Sequence, residues 1–371
     1  MATVTSRSPS TANAGTTLAA LVLNHNAGWR VLSNWESRLL AGRLAAITVD
    51  RPVFIAGLAR AGTTMLLRKL CELPDFATHR YADFPFLFTP YAWARLRRAM
   101  PAPRQAPRER MHKDGIMVTA ESPEAMEEVL WMAFFPRLHD PTVSNVLDER
   151  ARHPEFEAFF AEHIRKLILA RGARRYVSKN NYNVTRLGYL ARMFPDARFV
   201  LAVRAPQAHV ASLMKQHRLF CSIQHDNDAA RTHLRLVGHF EFGLDRRPIN
   251  PGDAAAIAAV EELWRRGEDV RAWAKYWTLI YGHLAARLDA DPALASRCLV
   301  VRHEDLCDRG AVTMAELCAH VGLPTAPASQ LADGLRRPDY YVMGFAECER
   351  LIIAEETTAV ARRFGYGAQD G

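Results

Sequence analysis

The apolar positions of the chain follow two patterns, short unbroken runs and stripes that recur every three or four residues. Leucines and alanines at helical spacing over residues 17–47 predict one or two helices, behind about fifteen residues that read as a loose tail. At residues 52–57 the pattern becomes a continuous apolar run ending in glycine, which suits a buried strand. Residues 63–73 follow as a helix with Met65, Leu66, Leu70 and Leu73 on one side. Residues 74–170 read as a long, mostly helical insertion. Its clearest helix spans 122–131, with Ser122 as N-cap, Pro123 in the first turn, and acids where the helix dipole favours them. A weak strand at 175–178 precedes a helix spaced by Val184, Leu187, Leu190 and Phe194 and ended by Pro195. The strongest strand is Arg198–Val203, and Pro206 opens the helix after it. Two more helices cover 254–264 and 268–288. The second aligns Val270, Trp273, Trp277, Tyr281, Leu284 and Leu288 in a stripe that reads as core. A last strand at 298–302 leads to a helix at 312–321.

Short apolar strands alternating with helices predict an α/β fold: a central parallel sheet with helices on both faces and the site at the carboxyl ends of the strands. The chain divides into an N-terminal tail and helical segment at 1–48 and one α/β domain at 49–371. Helical insertions are expected at about 80–170 and 218–265. No internal repeat or low-complexity tract is present.

Composition narrows the class. Of 371 residues, 49% are hydrophobic and 24% charged, an ordinary globular balance. Six cysteines lie far apart with no CxxC pair, which fits a reducing compartment and gives no zinc or disulfide pattern. No apolar run approaches the roughly 18 residues of a membrane helix, and the polar N-terminus lacks a secretory signal, so a cytoplasmic protein is expected. The net charge of +8 suits an anionic ligand or a nucleic-acid surface. The densest basic run, Arg95 through Arg98, Arg104, Arg108 and Arg110 to Lys113, is broken by three prolines. It reads either as a solvated loop or as a basic lid over an anionic site.

The loop Gly57-Leu-Ala-Arg60-Ala61-Gly62-Thr63-Thr64 lies between a predicted strand and a predicted helix. Glycines there let backbone N–H groups converge on an anion, and the helix N-terminus adds its dipole and free donors. A nucleoside-triphosphatase loop has lysine where Thr63 stands. Here the positive charge sits inside the loop as Arg60, and the strand 198–203 runs into Arg204 rather than a magnesium-binding aspartate. Glu304 and Asp305 follow a strand, where capping the next helix is their expected job. The pattern suits a phosphate ester held without an obligatory metal.

Residues 53–67, VFIAGLARAGTTMLL, resemble the 5′-phosphosulfate loop of the bacterial sulfotransferases that use 3′-phosphoadenosine-5′-phosphosulfate (PAPS), with Ala61 in place of the usual serine. Arg204-Ala-Pro-Gln-Ala-His-Val-Ala-Ser212 resembles that family's 3′-phosphate motif, an arginine at a strand end and a serine on the next helix. VVRHEDL at 300–306 resembles a third, structural landmark. The resemblance covers roughly residues 50–325. It implies that Gly57, Arg60, Ala61, Gly62, Thr63, Thr64 and Met65 hold the 5′ end of the donor and that Arg204 and Ser212 hold the 3′-phosphate in a separate pocket. It also implies in-line transfer of a sulfuryl group to a hydroxyl or amine acceptor: a small molecule, carbohydrate or lipid.

A cation at the bridging oxygen, where charge accumulates, accelerates such a step. Arg60 is the first candidate and Lys179, at the end of the strand 175–178, the second. The proton acceptor cannot be transferred by resemblance, because Asn181 stands where many relatives of the family have histidine, and an amide takes no proton at neutral pH. His112, at the end of the basic run, and Asp83 are the candidates, with Asp114 or an acid near Glu121–Glu128 behind them; Glu127 and Glu128 also fit an exposed helix face. Two other readings stay open. One is a nucleotide kinase or NTPase with a degenerate loop, which needs magnesium and ATP. The other is a basic nucleic-acid-binding protein with salt-sensitive affinity. No metal and no nucleic acid are expected, and the oligomeric state is not legible.

Overall fold

The computed structural model describes residues 9–101, 106–337 and 344–367. Its centre is a five-stranded, all-parallel sheet in the order β2–β5–β1–β6–β7, formed by Phe76–Ala77 (β2), Arg175–Lys179 (β5), Val53–Ala56 (β1), Arg198–Val203 (β6) and Cys298–Arg302 (β7). Strand β1 lies in the middle, with Val53 paired to Val177 on one side and to Arg198 on the other. A strand buried on both faces needs apolar side chains at every position, and Val53, Phe54, Ile55 and Ala56 are all fully buried.

Alternation along the strands sends side chains into two cores. Phe54, Ala56, Phe199, Leu201 and Val203 face a large aromatic layer with Trp131, Phe156, Phe160, Trp277 and Tyr281. Val53, Ile55, Val200, Ala202 and Val301 face a smaller layer with Leu66, Leu70, Met314 and Leu317. The first layer carries the long helices Pro154–Arg171, Pro206–His225, Asp269–Ala290 and Glu347–Arg363; the second carries Thr63–Leu70 and Gly310–His320. No helix among the described residues is long and apolar enough to cross a membrane.

Several expectations are corrected. Helix Pro9–Asn24 takes in part of the segment expected as a loose tail, and Asn26–Leu39 and Ala41–Ala45 follow it, so residues 17–47 hold parts of three helices. The insertion 74–170 is less helical than its composition suggests. The segment 122–127 is irregular, and the helix begins only at Glu128, as Glu128–Phe134. The reason is tertiary: the chain at 79–82 takes the backbone bonds a helix would need, Tyr81 N–H to Ser122 O at 3.1 Å and Glu124 N–H to His79 O at 3.0 Å. Glu127 and Glu128 are buried, not exposed. Glu127 accepts from Trp131 Nε1 and the Tyr176 hydroxyl, and Glu128 is paired with Arg186 and His139. The basic run leads into a small antiparallel pair, Arg108–Glu109 (β3) and Met117–Val118 (β4).

Candidate functional site

The loop between β1 and the Thr63–Leu70 helix has the geometry its glycines require. Gly57 adopts φ 144°, and a Cβ there would lie 2.4 Å from the Ala202 carbonyl oxygen of β6. Gly62 caps the helix at φ 96° and would meet the His303 ring at 3.0 Å. Arg60 itself sits at φ 74°, a conformation costing a side-chain-bearing residue of order 1 kcal/mol and found where a site demands it. The loop is held from below. Trp277 Nε1 donates to His209 Nδ1 at 3.2 Å, which fixes the ring's other nitrogen as the donor to Ala59 O at 2.8 Å. Tyr281 adds a bond to Ala202 O at 3.0 Å. The aromatic stripe of the Asp269–Ala290 helix is therefore core, as its pattern predicts, and also the loop's foundation.

Above the loop the charged groups converge. Arg60 donates from Nε to Ser212 Oγ at 3.2 Å and from NH1 to Asp114 at 2.6 Å. Arg204 NH1 donates to the Arg60 carbonyl at 3.2 Å. The arginine–serine pair and the glycine loop, expected as two separated pockets, thus touch through Arg60. Arg110 grips Asp114 from its own hairpin, 2.9 Å from Nε, and reaches Thr64 Oγ1 at 3.4 Å. A carboxylate therefore lies between two guanidinium groups, one of which also reaches a hydroxyl in the first turn of a helix. Burial would raise the Asp114 pKa, but Arg110 and Arg60 hold it down at about 2. Of the basic run, Arg110 thus covers an anion seat, whereas Arg95, Arg98, Arg108 and Lys113 are exposed and Arg104 lies outside the described residues.

A cavity of about 810 Å³ adjoins this seat, lined among others by Arg60, Thr63, Thr64, Lys179, His112 and His239. Burial lowers the Lys179 pKa, opposed by the charges of Glu241 and Glu124. Asn181 bridges the loop helix to the far wall, accepting from Thr63 Oγ1 at 3.5 Å and donating to Glu241 Oε1 at 2.7 Å. The structure places Ala61 and Met65 differently from the other loop residues. Ala61 is buried in the smaller apolar layer, with its amide on Leu58 O, and the Met65 amide bonds Gly62 O. Thr63 and Thr64 are left as the first-turn amides. An alanine at 61 suits this environment, where a serine hydroxyl would be buried among methyl groups.

Asp83 is a correction. It does not line the cavity and is 1% exposed, accepting from Arg80 N at 2.8 Å and Arg171 NH2 at 2.7 Å. Burial alone would raise its pKa, but the His79 hydrogen bond and the Arg171 charge hold it at about 2. A sealed, ion-paired carboxylate has no route to an acceptor proton. His112 does line the cavity. Glu304 accepts from Ala205 N at 3.1 Å, so it serves the start of the neighbouring Pro206–His225 helix rather than its own. His239 and Glu241 were missed, because they lie in the irregular segment after residue 236, and His-x-Glu alone is too common a string to notice.

The sequence pattern of the sulfotransferase family matches residues 52–246, over half of the chain. No curated protein matches at the sequence level. Among solved structures, the chain is similar to a sulfotransferase from Mycobacterium tuberculosis at 17% identity, over 88% of this chain and 81% of that one, with a TM-score of 0.47. A Mycobacterium avium sulfotransferase follows at 16% identity, with coverages of 87% and 81% and a TM-score of 0.46. One from Alicyclobacillus acidocaldarius gives 15%, 85% and 95%, and a TM-score of 0.40.

Proposed function

Because the chain belongs to the sulfotransferase family, we propose that it transfers a sulfuryl group from PAPS to a hydroxyl or amine acceptor bound in the cavity beside the glycine loop. The observation that carries this reading is the anion seat: Arg60 and Arg110 already hold a carboxylate between them, and Arg110 also reaches the Thr64 hydroxyl in the first turn of the Thr63–Leu70 helix. The 5′-phosphosulfate takes that place, with the first-turn amides of Thr63 and Thr64 and the helix dipole adding to the cations. Arg204 and Ser212 hold the 3′-phosphate, close enough to Arg60 for one nucleotide to engage both motifs.

In the transfer step the acceptor oxygen forms a bond to sulfur as the sulfur–bridging-oxygen bond breaks and its electron pair leaves with the nucleotide phosphate. Arg60 and Lys179 face the region where that charge develops. Their cations stabilise the transition state more than the ground state. Tyr81 and Phe84 line the same cavity and offer an apolar wall to the acceptor.

The test is a thermal-shift comparison of 3′,5′-adenosine bisphosphate with ADP, both without magnesium. The proposal expects a selective rise in Tm with the bisphosphate. Equal response to ADP, or a response only with magnesium, overturns it in favour of a kinase-like site.

A further inference from the structure

The cavity wall holds a chain of three groups that the donor site does not explain. His112 Nε2 lies 3.2 Å from His239 Nε2, and His239 Nδ1 lies 3.0 Å from Glu241 Oε2. Glu241 Oε1 is already committed to Asn181 at 2.7 Å. His239 Nδ1 and Glu241 Oε2 are buried, and neither makes an aligned hydrogen bond among the described residues, so the ion-pair contact between them at 3.0 Å is the match each has within reach. The rings are set by packing. Phe220 stacks on His239 at 5.2 Å and meets His112 at 5.1 Å.

We propose that Glu241, His239 and His112 form a proton relay whose working atom is Nδ1 of His112, the base that takes the acceptor's proton. The tautomers follow in order. Glu241 is a carboxylate and only accepts, so His239 donates from Nδ1. That leaves His239 Nε2 with a lone pair, which accepts the Nε2 proton of His112. His112 then has its lone pair on Nδ1. His112 touches the reacting group; His239 and Glu241 are positioning residues.

When the acceptor oxygen attacks sulfur, its proton passes to His112 Nδ1 and the His112 Nε2 proton passes to His239 Nε2. His239 becomes an imidazolium beside the Glu241 carboxylate, and the bond to sulfur forms as the sulfur–bridging-oxygen bond breaks. Charge and protons balance with no further reactant.

The second ring is needed because of what surrounds the first. Burial disfavours a charged His112, and Arg110, His239, Arg60 and Lys179 add to that, while Phe220 offers no compensating charge. His233 and Glu124 also line the cavity. A proton moved one ring further comes to rest beside a carboxylate, with Glu241 Oε2 3.0 Å from His239 Nδ1. Burial would raise the Glu241 pKa, but His239, Lys179 and Asn181 hold it well below the usual carboxylate range. It therefore stays charged and stabilises the imidazolium, as the acid of a catalytic triad does. Donor phosphates on Arg60 and Arg110 would offset two of the opposing charges, so His112 becomes basic only once the donor is bound.

The inference rests on the sulfotransferase reading, and its test separates the two. Ring-15N histidine NMR on the full chain reads the tautomers without any nucleotide or acceptor. His239 is expected as the Nδ1–H form and His112 as the Nε2–H form. Glu241→Gln is expected to mix the His239 tautomers. Adding 3′,5′-adenosine bisphosphate is expected to raise the His112 titration by at least one pH unit. Matching tautomers on both rings, or a His112 titration unmoved by bound bisphosphate, overturns the relay while leaving the donor reading intact. Failure of the bisphosphate to bind overturns the donor reading, and the nucleotide-free tautomers still decide the relay.

Discussion

Arg60 shows how much one residue is asked to do. It holds a left-handed backbone, offers its carbonyl to Arg204, its Nε to Ser212 and its NH1 to Asp114. Charged hydrogen bonds to a phosphate contribute about 1.5–3 kcal/mol each. Arg204→Ala, which removes a charge with its bonds, is therefore expected to weaken 3′,5′-adenosine bisphosphate binding roughly 100-fold, and Ser212→Ala, at the lower end, roughly 10-fold, by calorimetry. An unchanged affinity in both would remove the 3′-phosphate assignment. Gly57→Ala belongs to the same scale but reads out as stability. A methyl 2.4 Å from the Ala202 oxygen cannot fit without moving β6, and a loss of roughly 2–4 kcal/mol is expected in denaturant titration. Residues like these are legible because their signal is local: glycines bracketing a loop, or an arginine and a serine at fixed spacing. Asp83 was misread for the opposite reason. What decides its role is Arg171 and His79, and no local pattern announces that Arg171 arrives from another helix. Asp83, His79 and His163 even repeat the carboxylate–histidine–histidine order of the cavity wall, with His163 Nε2 3.0 Å from His79 Nε2, but inside the core. Burial, not residue type, separates the two.

At the scale of elements, continuous apolar runs located β1, β6 and β7 closely; β1 and β6, buried on both faces, leave a dense, unambiguous mark, and the half-buried edge strand β7 carries a run of the same kind. The 122–131 helix failed although its capping signals were sound. Its backbone bonds go to a neighbouring segment, a tertiary preference that overrides local propensity. The hairpin over the loop was half legible, as a basic stretch with two possible roles. Its decisive residue is acidic. Asp114 stays ionised at neutral pH and sits where the donor's phosphate is proposed to go, so the hairpin acts as an internal competitor that also keeps Arg60 and Arg110 paired. Asp114→Asn removes the competing charge and keeps the side-chain volume. Its affinity for 3′,5′-adenosine bisphosphate is expected to rise several-fold, read by calorimetry at low salt, where such charge effects are largest. A weaker affinity would mean that the carboxylate chiefly orients the arginines.

Taken whole, the molecule keeps several histidines neutral inside the fold, and this sets how it responds to acid. His209, fully buried beneath the loop, is pushed down to about 3 by burial, against the help of its bond to Ala59 O. His303 is likewise pushed to about 3, chiefly by burial and then by Arg204 and Arg60. Burial and the neighbouring His79 hold His163 well below its ordinary value. An unfolded histidine titrates near 6.5. Above that pH both states are neutral and these groups favour neither. As pH falls below it the unfolded chain binds protons that the folded chain refuses, so stability drops until the folded pKa near 3 is reached. At pH 5 His209 alone accounts for a loss of about 2 kcal/mol, from one and a half pH units at about 1.4 kcal/mol each. The ion-paired acids Asp83, Asp114 and Glu128, held at about 2 against burial, begin to lose their contribution only in more acidic solution, near the unfolded carboxylate range of about 4. The window between pH 7 and 5 therefore belongs to the histidines. Tm is expected to fall by roughly 5–10 °C across it, and His209→Gln, less stable at pH 7, should lose part of the slope. A Tm that stays level from pH 7 to 5 would mean that the buried rings are protonated in the fold, and would undo the tautomer that ties His209 to the glycine loop.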